Sequence, residues 1–303
     1  MSRNVTVGLD GSAESRTAAE WAAREAKLRG LPLRLVHVWE PVPEPMAQSQ
    51  APLLGAERQQ HWSERIPRET AEGLRRRHPG VRVETEQVPG KPMDALPEAA
   101  KDTELLVLGS RGLSGIGGFL VGSVGAAVIA HTGTPVVLVR AGEQAADEHE
   151  MDPAGIPSTA TPYKPVVLGL DTAHPDDTVI AFAFEAAALR DAALRVVHGW
   201  NLPPYVAYGR PADAELNAAL GRHEAAALAG VLRPWRQKYP DVEVVEESPS
   251  GSPANHVIDA SREASLVVVG RRVRRSPFGV HIGPVTHAVL HHADAPVAVV
   301  AHD

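Results

Sequence analysis

Residues 105–123 read LLVLGSRGLSGIGGFLVGS. The stretch opens on Leu105 to Leu108, four apolar residues with no polar break. Such a run predicts a strand covered on both faces, which is the habit of a central strand in a parallel sheet. Gly109, Gly112, Gly115, Gly117, Gly118 and Gly122 follow within fourteen residues. A helix is predicted from about Ser123 to His131. Strand, glycine-rich loop and helix N-terminus in this order are the context in which a loop cradles an anion. Glycine lets backbone amides approach a ligand, and the helix dipole favours negative charge there. The alternative is a loop whose glycines serve packing alone.

Outward from this segment the first half alternates strands and helices. Val5 to Leu9 predicts a strand, Ser12 caps a helix over about 13–29, and Gly30 stops it. Leu33 to Trp39 predicts a second strand. A helix over about 55–77 is expected to be interrupted or kinked near Pro67. Val81 to Val88 alternates like an edge strand, a short helix covers 92–101, and Val136 to Val139 closes the set. The order βαβαβαβαβ implies a five-stranded, mostly parallel, doubly wound sheet flanked by helices. Strand order does not follow from this pattern.

The second half copies the first at a constant offset of 161. Asp10 pairs with Asp171, Trp39 with Trp200, Gly90 with Gly251, Gly109 with Gly270, Gly122 with Gly283 and Pro135 with Pro296. A repeat this long means two whole domains rather than a solenoid. The expected domains are 1–141 and 164–303. Residues 142–163, acidic and then rich in Pro, Ser and Thr, read as a linker. Two further loose stretches, Pro41 to Pro52 and Pro203 to Pro211, occupy matching places.

Composition removes several functions. The 303 residues contain no cysteine, so disulfides, thiolate metal sites and cysteine nucleophiles are excluded. A net charge of -7 argues against a general binder of nucleic acid or anionic membrane. No signal peptide or membrane span is read, so the expected location is cytoplasmic. The glycine loop is not a Walker A loop, because no Gly-Lys-Ser/Thr follows at the required spacing, and no Gly-x-Gly-x-x-Gly fingerprint follows the first strand. Ser114 lacks the second glycine of a nucleophile elbow, since Ile116 stands there. No paired-carboxylate site follows from spacing. His287 and His291 lie four apart on a predicted helix, with His281 and His292 nearby, and read as surface histidines rather than a zinc site. His37 and His198 occupy matching strand positions and read as structural.

Gly109-x2-Gly112-x9-Gly122-Ser123, with Asp10 ending the first strand and VHV at Val36 to Val38 ending the second, resembles the nucleotide-binding signature of the universal stress protein family. The repeat resembles a tandem member with two fused domains. The resemblance implies a Rossmann-like, adenine nucleotide alpha hydrolase-like fold and an ATP-binding regulatory module of the stress response. By the same resemblance Gly8, Leu9, Asp10 and Val38 would hold adenine and ribose. Leu108, Gly109, Ser110, Arg111 and Gly112, with Gly122, Ser123 and Val124, would hold the phosphates. Asp10 is also expected to help place a Mg2+ ion. Slow ATP hydrolysis, nucleotidyl transfer and cyclic-AMP binding are the alternatives, and no catalytic residue is assigned.

The second copy keeps Asp171, Gly270 and Gly283. Val273 stands for Gly112 and Pro284 for Ser123. Arg271, Arg272, Arg274 and Arg275 crowd the same loop and read as a solvated or interface surface, with anion binding, Arg271 the candidate ligand, as the alternative. The first domain is therefore expected to bind nucleotide better. Each copy ends in an apolar strand, 136–139 and 297–300. Pairing of these strands within the chain, and assembly into a homodimer, are the expected ways to cover bare edges.

Overall fold

The computed structural model describes residues 3–40, 56–112, 119–120, 122–201, 214–273 and 282–303. In the first half the strands are β1 (Val5–Leu9), β2 (Leu33–Trp39), β3 (Val83–Pro89), β4 (Leu105–Gly112), the two-residue β5 (Phe119–Leu120) and β6 (Val136–Arg140). The helices are α1 (Ala13–Arg29), α2 (Ala56–Arg77), α3 (Pro92–Ala100) and α4 (Ser123–His131). The second half holds β7 (Val166–Gly169), β8 (Leu194–Val197), β9 (Val244–Glu247), β10 (Leu266–Arg272) and β11 (Val297–His302). Its helices are α5 (Asp177–Arg190), α6 (Ala214–Lys238), α7 (Pro253–Ser261) and α8 (Pro284–His292).

The chain divides into two units, the second of which contains Ala145–Asp303. In the first unit the strand order is β3-β2-β1-β4-β6, and β1–β2, β1–β4, β2–β3 and β4–β6 all pair in parallel. The second unit repeats it as β9-β8-β7-β10-β11, again parallel throughout. The chain winds outward from β1 to β3, returns beside β1 as β4, and winds outward the other way. Right-handed crossovers then place α1 and α2 on one face and α3 and α4 on the other. The junction of β1 and β4 is thus a topological switch point, where doubly wound sheets bind ligands beyond the strand ends.

Hydrophobic burial supports this layering. Val5, Val7, Leu33, Leu35, Leu105, Leu106 and Val107 are fully buried, as expected of strands covered on both faces. Ala18, Ala19, Ala22, Ala23 and Ala26 are fully buried on α1, so the helix lies close to the sheet, with Trp21 filling space beside them. Burying each large apolar side chain contributes about 1.5–3 kcal/mol. Ser12 caps α1 by accepting from Ser15 N at 3.1 Å, and Gly30 ends it in the left-handed region at φ 63°.

Three local expectations change. The second helix runs from Ala56 to Arg77 with Pro67 inside it and is not interrupted there. The third strand runs 83–89 instead of 81–88 and takes the outer position. The stretch read as a linker carries structure of its own. Ala145–Glu148 is a 3-10 helix, and His149–Tyr163 and Met151–Pro157 form antiparallel bridges. The His149 and Tyr163 rings sit 4.0 Å apart, and the buried Arg190 of α5 lies over the Tyr163 ring. The stretches 41–52 and 203–211, and the glycines at 115, 117 and 118, lie outside the described residues.

Candidate nucleotide site

A cavity of about 400 Å³ opens at the switch point of the first unit. Gly8, Leu9 and Asp10 at the end of β1, Val36 and Val38 of β2, and Leu108 and Gly109 of β4 line it. Gly122, Ser123, Val124 and Gly125 close it from the start of α4, and Pro92 and Leu96 from α3. Its volume lies within the range of small-molecule pockets. One side is apolar, formed by Val36, Val38, Leu96 and Leu108. The other is polar, formed by the α4 N-terminus.

The α4 end is built to receive an acceptor. Its N-cap is Gly122, with no side-chain cap, and the first intrahelical bond runs from Ala126 N to Gly122 O at 3.0 Å. The amides of Ser123, Val124 and Gly125 have no acceptor among the described residues. Neither packing nor backbone strain calls for glycine at 122. Its φ is −64°, which any residue adopts, and no described atom lies within 4 Å of where a Cβ would stand.

Gly109 has a different reason. A Cβ there would stand 2.5 Å from the Glu14 carbonyl carbon and 2.8 Å from Ser15 N. Glycine at 109 lets the first turn of α1 rest on β4. Positive φ is not involved, and residues 109–112 continue the strand instead of beginning a loop.

Not every expected residue reaches the cavity. Ser110 is buried, and its hydroxyl donates to Val139 O at 3.2 Å, away from the cleft. The hydroxyl is held by the neighbouring strand β6, to which Val139 belongs. The backbone of Arg111 and Gly112 lies in β4, and the Arg111 side chain falls outside the described residues. Sequence reasoning overlooked Leu96, Pro92 and Val36. The apolar spacing of α3 carries the signal for Leu96.

Asp10 stands at the cavity mouth. Its Oδ1 accepts from Ser12 N at 2.9 Å and from the Ser12 hydroxyl at 2.5 Å. Burial alone would raise its pKa, but these bonds and one with Ser15 hold the carboxyl below the usual range. It therefore stays ionised beside the cleft. His37 serves the frame, its Nδ1 lying 2.8 Å from Leu9 O, and His198 repeats the contact with Leu170 O at 3.0 Å.

The second unit has the corresponding cavity, larger at about 660 Å³. Leu96, Leu108 and Val38 are replaced by the smaller Val257, Val269 and Gly199, which explains the gain. Asp171, Gly270 and Gly283 line it as expected. Arg271 does not. It is buried, and the loss of hydration lowers its pKa, while Arg272, one strand position on, faces the cavity. Pro284 begins α8 without an amide hydrogen. Val273 is not in the positive-φ region, so its β-branch creates no backbone strain there. His287 and His291 have ring centroids 4.4 Å apart on α8. Among the described residues no group of three or more His, Asp or Glu could hold a metal ion. Arg274, Arg275 and His281 lie outside the described residues.

A family model described as the universal stress protein family matches residues 1–140 and again 162–301. The chain belongs to the universal stress protein family, with two copies of its domain. It is 32% identical over 304 residues to a universal stress protein of Mycolicibacterium smegmatis, covering 98% of this chain and 96% of that protein. A universal stress protein of Mycobacterium tuberculosis strain H37Rv is 32% identical over 315 residues, covering 97% and 96%. Among solved structures, a universal stress protein from Archaeoglobus fulgidus DSM 4304 superposes with a TM-score of 0.67 at 17% identity, covering all of both chains. That likeness concerns the fold. No described helix is long and apolar enough to cross a membrane.

Proposed function

We propose that this universal stress protein is an adenine-nucleotide-binding regulatory module, with ATP held mainly by the first unit. The observation that carries the reading is the vacant space at Gly122, beside three amides of α4 that lack acceptors, at the switch point of the sheet. A purine fits the apolar side between Val38, Leu96 and Leu108. Phosphate oxygens fit the amides of Ser123, Val124 and Gly125, where the helix dipole adds attraction. Asp10 and Glu14 are the carboxylates at the cleft, and Asp10, being ionised, suits a Mg2+ ion carried in with the phosphates. These residues bind and position; none is arranged as a nucleophile or base toward a reacting atom.

The test is ATP titration of the full chain beside Gly122→Asp and Gly283→Asp. Aspartate suits an N-cap at φ −64°, so the helix is kept while a carboxylate enters the phosphate space. Gly122→Asp is expected to weaken ATP binding about a hundredfold, equivalent to roughly 2.7 kcal/mol. Its melting temperature without ligand should match the parent's. Gly283→Asp should change ATP affinity little at neutral pH. Equal losses in the two variants, or a parent whose melting temperature ATP does not raise, would overturn the reading. Cyclic AMP in competition ranks the ligands.

A further inference from the structure

Each unit ends its sheet on an outer strand, β3 in the first and β9 in the second. Leu33 N donates to Arg82 O at 2.8 Å, and Leu194 N donates to Glu243 O at 2.8 Å. Along a strand the backbone groups of successive residues turn to opposite sides. Val83, Thr85 and Gln87 therefore point their amides and carbonyls away from β2. Val244, Glu246 and Ser248 point theirs away from β8. A row of outward backbone groups is a template for another chain.

An arginine closes the first outward carbonyl in both units. Arg75 of α2 donates through Nη2 to Val83 O at 2.7 Å, and Arg236 of α6 donates through Nη2 to Val244 O at 3.0 Å. The two arginines stand 161 residues apart, as do the two valines, which is the offset of the repeat. The cavity linings diverged between the copies, whereas this contact is the same in both. A charge-assisted bond to a carbonyl removes that acceptor from any incoming strand.

The rest of each edge is covered in a different way. In the first unit the side chains of Glu84 and Glu86 are 49% and 45% exposed, and such charges oppose pairing with a like strand. In the second unit Val245 stands for Glu84 and is 41% exposed. A β-branched apolar residue on an open edge favours pairing. The edge that lost a charge has gained a lock. Glu246, standing for Thr85, accepts from Arg236 Nη1 and holds the guanidinium over Val244 O. At the far end the Trp200 indole donates to Ser248 O at 3.1 Å. Between the two caps the one outward carbonyl left is that of Glu246, too short a row for a strand to grip.

We propose that Arg75 and Arg236 are edge guards, and that Arg236 alone keeps β9 from pairing with the β9 of a second copy. A second copy fits because a strand edge is self-complementary about a two-fold axis. Antiparallel pairing would set the exposed Val245 face of one strand beside the same face of the other. With Arg236 in place the row is interrupted and the pairing does not form. The inference concerns neither cavity and stands independently of the nucleotide reading.

The experiment compares full-length chains by sedimentation velocity over a concentration series, with circular dichroism to confirm the fold. Arg236→Ala is expected to raise the self-association constant at least about tenfold over the parent's own state. Arg75→Ala should raise it less than about twofold, because Glu84 and Glu86 remain. Arg236→Ala with Val245→Glu, the first unit's residue, should sediment as the parent does. So should Arg236→Ala with Glu246→Pro, which removes an outward amide hydrogen and no ladder bond. In Arg236→Ala the Glu246 amide should exchange its hydrogen more slowly as concentration rises; in the parent its rate should not depend on concentration. Should Arg236→Ala fail to fold, Glu246→Gln releases the lock with the arginine retained, and should associate to an intermediate degree. An Arg236→Ala chain that folds and sediments as the parent would overturn the proposal. Association undiminished by Val245→Glu or Glu246→Pro would do the same, as would a Glu246 amide indifferent to concentration, or a folded Glu246→Gln chain that sediments as the parent when Arg236→Ala does not fold.

Discussion

The two cavities occupy the same place in the same sheet topology, and they differ in what their walls can do. The first is the smaller, with apolar leucine and valine on one side and bare amides on the other. The second is wider, has lost a donor to Pro284, and has gained His174, His302 and the carboxylate of Asp176. A duplicated frame holds its backbone while its lining diverges, because strand pairing and helix packing constrain the core and leave the strand ends free. The same contrast appears away from the cavities. In the first unit the buried Arg29 pairs with the buried Glu25, Nε to Oε1 at 2.7 Å. At the equivalent places the second unit has Arg190 and Ala186, and Arg190 donates to Ala186 O and lies over Tyr163.

That last difference gives the largest expected effect. Arg29→Ala removes the guanidinium from a carboxylate that is 1% exposed, a change that costs about 3–5 kcal/mol. Glu25→Ala with Arg29→Ala should recover much of the loss, since the second unit already lives with alanine at that position. Urea unfolding followed by circular dichroism measures both. A double variant as unstable as Arg29→Ala would break the comparison.

Next in size is the glycine shared by the two fourth strands. Gly109→Ala drives a methyl group into α1 backbone, which cannot yield without moving the helix. A cost of about 1–3 kcal/mol is expected. Gly270→Ala meets the tip of His302, at 2.8 Å from Nε2, and a side chain can turn aside. Its cost should be smaller. Unfolding midpoints of the two variants compare the sites directly, and equal shifts would show that the α1 contact is not the reason for Gly109.

The smallest effect concerns Asp10. Its folded pKa is lowered because hydrogen bonds from Ser12 and Ser15 outweigh the effect of burial. A carboxyl of this kind stabilises the fold above its unfolded pKa, and that share fades as pH falls through the folded value. Asp10→Asn should therefore be less stable than the parent at neutral pH, with the gap closing in acid. Unfolding midpoints measured across the acid range check the slope. A gap that widened as pH fell would reverse the sign.

Much of the frame was legible in residue order. The constant offset, the uninterrupted Leu105 to Leu108 run and the Ser12 and Gly30 boundaries of α1 are local or periodic signals, and the structure follows them. The candidate site was only partly legible. Ser110 and Arg271 were chosen for their proximity to glycine, but the Ser110 hydroxyl bonds Val139 O and Arg271 is buried, while Arg272 lines the second cavity. The stretch 145–163 lacks apolar periodicity, yet His149 and Tyr163 find partners in each other and in Arg190, distant in sequence.

The sequence by itself determined that this protein is two copies of one α/β domain, because repeat register and hydrophobic period are properties of residue order. Tertiary structure alone decided the strand order, and with it where the cleft lies. It also decided which glycine packing requires and which borders the cavity. Gly109 and Gly122 look alike on the page; only the arrival of α1 against one, and of nothing against the other, separates them.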